Sequence, residues 1–78
     1  MLLEIISPDK NIYKGEVNYV QLPGIDGLFG VLQDHAPLIS ALGKGTVLIR
    51  DAKNMETSLE VNGGVAEIQN NKVLVLAD

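Results

Sequence analysis

Apolar and polar residues alternate along most of this chain with a period of two, the spacing that gives a β-strand one buried and one wet face. Thr57, Leu59 and Val61 alternate with Ser58 and Glu60, and residues 65–69 form a return strand beyond Asn62-Gly63-Gly64. That turn sequence supplies the positive φ angles a tight hairpin needs. Residues 46–50, TVLIR, read as a compact β-branched strand, and Asp51-Ala52-Lys53-Asn54 as the hairpin loop behind it. Near the start, Leu2, Leu3, Ile5 and Ile6 surround Glu4 and stop at Ser7-Pro8-Asp9, which predicts an edge strand with one wet face. Residues 12–22 carry Tyr13, Val17, Tyr19, Val20 and Leu22, all suited to a pleated surface, and Gly15 among them predicts a bulge or bend. At the far end, Asn70-Asn71 turns the chain into Val73-Leu74-Val75-Leu76, apolar at every position and therefore expected between two layers.

The stretch from 22 to 42, LPGIDGLFGVLQDHAPLISAL, breaks this rhythm. Pro23-Gly24 is a turn dipeptide, because proline presets one φ and glycine permits a positive one beside it. Gly27 and Gly30 enclose Leu28 and Phe29, whose side chains on extended backbone face opposite ways, one toward the core and one outward. The best helical candidate is a single turn after Pro37, and Gly43-Lys44-Gly45 forbids anything longer. Turn signals recur about every 8–12 residues, the spacing of an all-β sandwich or barrel. The reading is all-β: one small two-sheet β-sandwich over residues 1–78.

Composition narrows the function. A chain of 78 residues forms one domain with a thin stability margin, and without cysteine neither a disulfide nor a thiolate metal site adds to it. A hydrophobic fraction of 46% and a mean hydropathy of +0.18 are high for this size. Either the core is dense or part of the apolar surface is meant for a partner. The net charge is −4, with Lys10, Lys14, Lys44, Arg50, Lys53 and Lys72 scattered, so no basic face is offered to nucleic acid or to anionic lipid. The first residues lack the basic start and long apolar core of a signal peptide, and no apolar run nears the roughly 20 residues of a membrane-spanning helix. The expectation is a protein without direct membrane insertion, any membrane connection passing through another protein.

Candidate chemistry is sparse. His35 is the only histidine and adjoins Asp34, but neighbours on extended backbone point apart, so Asp34 cannot readily orient the ring. Its expected role is a hydrogen bond to a loop or partner rather than catalysis. Asp26, Asp34 and His35 fall short of a spaced ligand set for a metal. Gly24, Gly27 and Gly30 do not match a phosphate-binding loop, and no helix follows them, so no cofactor is expected. An exposed Leu28 or Phe29 would instead be a common kind of interface anchor.

Leu22-Pro23-Gly24, Gly27-Leu28-Phe29-Gly30-Val31-Leu32, His35-Ala36-Pro37-Leu38, Ala41-Leu42 and Gly45 together resemble the signature of the ATP synthase epsilon-subunit family. Gly63-Gly64-Val65-Ala66-Glu67-Ile68, closed by Val73-Leu74-Val75-Leu76-Ala77-Asp78, is similar to a second block of that family's N-terminal domain. The resemblance implies a sandwich of about ten short strands and a non-catalytic central-stalk rotor subunit of an F-type ATP synthase. It implies that Ile25, Asp26, Gly27 and Leu28 rest on the polar loops of the c-ring, and that Ser7, His35 and Ser40 belong to a side that packs on the gamma subunit. Through gamma the chain would join the F1 catalytic complex, peripheral on the cytoplasmic face of the bacterial inner membrane, during proton-driven ATP synthesis. The chain stops at Asp78, where the resemblance expects the sandwich to end, so the family's helical hairpin, with its brake and nucleotide site, falls outside these residues. The sequence departs at the tip, where the family's usual Gly-Glu-Leu-Gly reads Gly27-Leu28-Phe29-Gly30, and at Asp34, where a glycine commonly precedes the histidine. Two other classes compete: a free-standing β-sandwich module binding sugar or peptide, and a small β-fold enzyme using His35. The first lacks a cluster of exposed aromatics, since Tyr13, Tyr19 and Phe29 are the only ones, and the second lacks a visible partner for His35.

Overall fold

The computed structural model describes residues 1–78 and contains eight strands and no helix. In chain order these are β1 (Leu2–Ile6), β2 (Asn11–Gly24), β3 (Gly27–Leu32), β4 (Leu38–Leu42), β5 (Gly45–Asp51), β6 (Glu56–Val61), β7 (Gly64–Gln69) and β8 (Lys72–Ala77). The strands number eight where the resemblance implies about ten, and residues 11–24 form one long strand. The single helical turn expected after Pro37 is also absent, because β4 begins at Leu38 and its carbonyls and amides are drawn into pairing with β7.

Strand β2 organises both layers. Its first half pairs with β1, Leu3 opposite Gly15 and Ile5 opposite Tyr13, and β1, β8, β7 and β4 continue that layer. Its second half pairs with β3 on one side and β5 on the other, Val20 facing both Val31 and Ile49, and β6 completes the second layer. The change of layer depends on one residue. Val17 pairs with Asp51 and Tyr19 with Arg50, leaving Asn18 as an extra residue, the signature of a β-bulge. Before the bulge, odd positions turn inward, with Tyr13 against the core and Val17 buried; after it, even positions do, with Val20 and Leu22 fully buried. A strand without that insertion would present the wrong face to one of its two layers. The bulges therefore fall at Asn18 and at the Ile5–Ile6 register shift, while Gly15, the expected site, keeps its place in the ladder.

Three further expectations change. The hairpin expected at Asn62-Gly63-Gly64 does not form, since β6 pairs with β5 and β7 with β4 and β8, and the positive φ of Gly63 and Gly64 instead carries the chain from one layer to the other. The first strand is no edge: β1 pairs antiparallel with β2 and parallel with β8, and Leu3 and Ile5 are wholly buried. The last strand is not buried on both faces. Val73, Val75 and Ala77 enter the core, but Leu74 is half-buried and Leu76 is 47% exposed, because no second layer covers the outer side of β8. Sixteen buried hydrophobic residues from all layers form one core, with Tyr13, Phe29 and Leu59 packed at its margin. At about 25 cal/mol for each Å² of apolar area, that burial is the principal stabilising term.

Candidate functional site

The β2–β3 hairpin turns at Ile25 and Asp26, closed by the Gly24–Gly27 pair, with Gly27 at φ +131°. The turn expected at Pro23-Gly24 thus lies two residues further on. Pro23 is buried in the strand opposite Leu28, and hydrogen-bonded and non-bonded pairs alternate from the closing pair, so its missing N–H faces away from β3. Gly24 has no room for a side chain: a Cβ would stand 2.7 Å from the Gly27 carbonyl oxygen and 3.0 Å from the Phe29 ring. The outcome is a projecting tip. Ile25 and Leu28 are each 66% exposed, Asp26 and Gly27 are exposed beside them, and Phe29 turns back to the core. All four tip residues singled out from the sequence are brought together.

The backbone ties this tip to β4. The Ile25 N–H donates to the Ala41 carbonyl at 3.0 Å, and the Gly43 N–H donates to the Pro23 carbonyl at 2.8 Å. Gly24 opposite Leu42 is the one residue pair between β2 and β4, and it closes the sheet upon itself.

Ser7, His35 and Ser40 do not converge. Ser7 is in the β1–β2 turn, donating its N–H to the Lys10 carbonyl at 2.9 Å, beside Leu76 and Gly64. His35 lies in the β3–β4 loop at the other end of the β7–β8 hairpin: its neighbour Asp34, at φ 60°, donates its N–H to Asn71 Oδ1 at 2.8 Å. The His35 ring places Nδ1 2.7 Å from the Ala36 carbonyl oxygen, a local loop contact with no carboxylate in it. Ser40 sits on β4 opposite the buried Ala66, its hydroxyl donating to the Ala41 carbonyl at 3.3 Å. The three mark one end, the opposite end and the β4 edge of a single sheet.

Between them lies a surface that sequence reasoning did not isolate. On the outer face of β4, β7, β8 and β1, the register places Ala41 opposite Val65, Val65 opposite Leu76, and Leu76 opposite Ile6. Val65 is 40% and Leu76 47% exposed, Ile6 is half-buried, and Ile39 on the same face is 71% exposed. A shallow open depression of about 370 Å³ runs beside this row past Ser7, Pro8 and Gly64. The next rows become polar, Glu67 beside Leu74 and Glu4, then Gln69 beside Lys72, with Lys72 Nζ 3.7 Å from Glu4 Oε1. The face thus grades from apolar at the tip side to charged at the other. Its signal in the sequence is the uninterrupted apolar run of β8, which predicts burial on both faces rather than an exposed row.

The other layer is more polar outside. Arg50 stacks 5.5 Å from the Tyr19 ring centroid and pairs with Glu56 at 3.5 Å, and Thr46 donates its hydroxyl to Glu60 at 2.6 Å. No group of three or more histidine, aspartate or glutamate side chains converges anywhere in the chain.

Residues 1–78 match the family described as ATP synthase, Delta/Epsilon chain, beta-sandwich domain. The ATP synthase epsilon chain of Maridesulfovibrio salexigens is 45% identical over 78 residues, covering 100% of this chain and 54% of the relative. The epsilon chain of Leptospira interrogans is 43% identical over 76 residues, 97% of this chain and 59% of the relative, and that of Chlorobium limicola 40% over 76 residues, 97% and 86%. The chain thus spans little more than half the length of the first two relatives. Among solved structures, it resembles a chain in the Euglena gracilis mitochondrial ATP synthase OSCP/F1/c-ring assembly, with a TM-score of 0.89 at 22% identity over 96% of this chain and 48% of that one. A chain of the Tetrahymena thermophila mitochondrial ATP synthase central stalk and c-ring gives a TM-score of 0.80 at 14% identity, covering 97% and 61%. At those identities the two structures speak for the fold.

Proposed function

The chain belongs to the family of ATP synthase delta/epsilon-chain β-sandwich domains, and on that premise we propose that it is a non-catalytic rotor component of an F-type ATP synthase central stalk. In this reading Ile25, Asp26, Gly27 and Leu28 rest on the polar loops of the c-ring. The outer face of β4, β7, β8 and β1, framed by Ser7, His35 and Ser40, packs on the gamma subunit. The chain is then peripheral to the membrane, joined to the F1 catalytic complex through gamma.

The observation that carries the reading is the tip, where two aliphatic side chains, each 66% exposed, stand on a turn that the backbone holds in place. Ile25 and Leu28 stand on the same turn, and grouped rather than scattered exposed apolar side chains are what mark an interaction surface. The apolar row Ala41–Val65–Leu76–Ile6 supports the second contact on the same argument. Torque carried from ring to shaft must not slip, and many modest contacts over two surfaces of one stiff body resist shear better than a single strong one. The layer contacts of a sandwich provide that stiffness.

The test is calorimetry of the purified chain with the gamma subunit of the same organism. One-to-one association, weakened at least tenfold by Val65→Glu or Leu76→Glu and to a lesser degree by His35→Ala or Ser40→Ala, is the expected result. Absence of association at micromolar concentration leaves the fold standing and removes the proposed role, and ligand screens for a binding module become the next step.

A further inference from the structure

Tip and outer face lie on different layers, and the strand pairing that joins them at the tip is narrow. β2 and β4 share one residue pair, Gly24 with Leu42, flanked by the Ile25-to-Ala41 hydrogen bond of 3.0 Å and the Gly43-to-Pro23 hydrogen bond of 2.8 Å. Elsewhere the strand pairing of the β2–β3 hairpin reaches the first layer only back through β2 and its bulge at Asn18; the remaining ties are packing in the shared core and, at the end of β3 away from the tip, the hydrogen bonds of Gln33 and Asp34 with Met1 and Asn71. Bulged, locally unpaired backbone is where a strand bends most easily.

We propose that these two hydrogen bonds form a latch that makes the 25–28 tip and the outer face one rigid body, so that load on the tip reaches the face instead of flexing the hairpin. The inference rests on the roles proposed above for the two surfaces, but the latch itself is a property of the chain alone. Its geometry is direct. The acceptor for the tip's Ile25 N–H is the carbonyl of Ala41, whose side chain begins the apolar row across to Ile6. The surroundings are cut to let the strands close: a Cβ on Gly24 would meet the Gly27 carbonyl oxygen at 2.7 Å, and one on Gly45 would meet Pro23 Cβ at 2.8 Å. A side chain at Gly24 would press on β3 within the hairpin and one at Gly45 would press on Pro23, so both glycines leave the tip strand free to sit where its two bonds to the 41–43 backbone form. Gly43, by contrast, has nothing nearer its would-be Cβ than the Pro23 carbonyl oxygen at 4.0 Å, so its contribution is its N–H.

That difference gives a clean test. Gly43→Ala keeps the donor and has room for its methyl, while Gly43→Pro removes the donor and sets the ring carbon where the hydrogen pointed, against the Pro23 carbonyl, so the bond cannot form. Amide hydrogen exchange measured by NMR on the 78-residue chain reads local opening against global unfolding. The expected result is that the Ile25 amide exchanges at least tenfold faster in Gly43→Pro than in Gly43→Ala, with the core amides of Val47 and Val75 within twofold. An unchanged Ile25 amide would show the tip held by something else, and uniform acceleration of all amides would show the seam to be part of the global fold; either result overturns the latch. Should Gly43→Pro fail to fold, Ile25→Pro removes the other donor, with the Gly43 amide, which donates to the Pro23 carbonyl, as the reporter. Loss of folding in both variants likewise overturns a local latch. Since gamma is absent from this experiment, the latch and the rotor assignment can fail independently.

Discussion

Leu28 and Phe29 are neighbours in the chain and opposites in environment, one 66% exposed and the other packed against the core. Leu28→Asp is therefore expected to change stability by no more than about 0.5 kcal/mol, as exposed substitutions do, while weakening association with the c-ring. Thermal melting beside co-sedimentation with c-ring vesicles checks both halves, and an unfolded variant would place Leu28 in the core. Gly24→Ala is the converse case: its methyl has no space against the Gly27 carbonyl oxygen at 2.7 Å, and overpacking of this kind costs about 1–3 kcal/mol. Ile49→Ala removes a wholly buried side chain shared between β2 and β6 and is expected to cost about 3 kcal/mol, read from urea midpoints at constant slope. In a domain of this size, that is a fall of well over 10 °C in Tm, at about 4–8 °C for each kcal/mol.

At the scale of elements, the insertion at Asn18 is the decisive feature. Deleting Asn18 would join Val17 directly to Tyr19 and reverse which face of the strand turns inward on one side of the junction, exposing Val20 and Leu22 or else Val17. The expected outcome is loss of the cooperative transition and of dispersed amide resonances, whereas Asn18→Ala, which removes only the 3.2 Å side-chain bond to Asn54, should cost little. This feature also marks where sequence reading stops. The β5–β6 and β7–β8 hairpins, and the opposite facing of Leu28 and Phe29, are legible because each depends on residues adjacent in the chain; which of the two faces outward is fixed by the register with Leu22 and Pro23. Asn18 was not legible, since a bulge of an ordinary residue leaves no composition signal, and Gly15 drew the prediction instead. Pro23-Gly24 misled for a related reason: the positive φ came from Gly27, and the long-range partner Gly43 accounts for the proline carbonyl. The tip residues could be named from the chain, but the outer row could not. Ala41, Val65, Leu76 and Ile6 come from four strands, and only register makes them neighbours.

For the molecule as a whole, the edges are managed as well as the core. β6 carries Glu56 and Glu60 on its outer side, tied to Arg50 and Thr46, so a strand approaching that edge meets carboxylates. The apolar row has no such guard, which is why Val65→Glu and Leu76→Glu are expected to leave the melting temperature within a few degrees while removing gamma association. The last consequence comes from the order of the strands. β1 lies between β2 and β8, so the first and last of the eight strands in chain order are neighbours, with Leu2 beside Lys72 and Ile6 beside Leu76. Contacts so distant in sequence close slowly, because the chain loses loop entropy before they form. During synthesis, Leu3 and Ile5 therefore wait with one flank unpaired until residues 72–77 emerge from the ribosome.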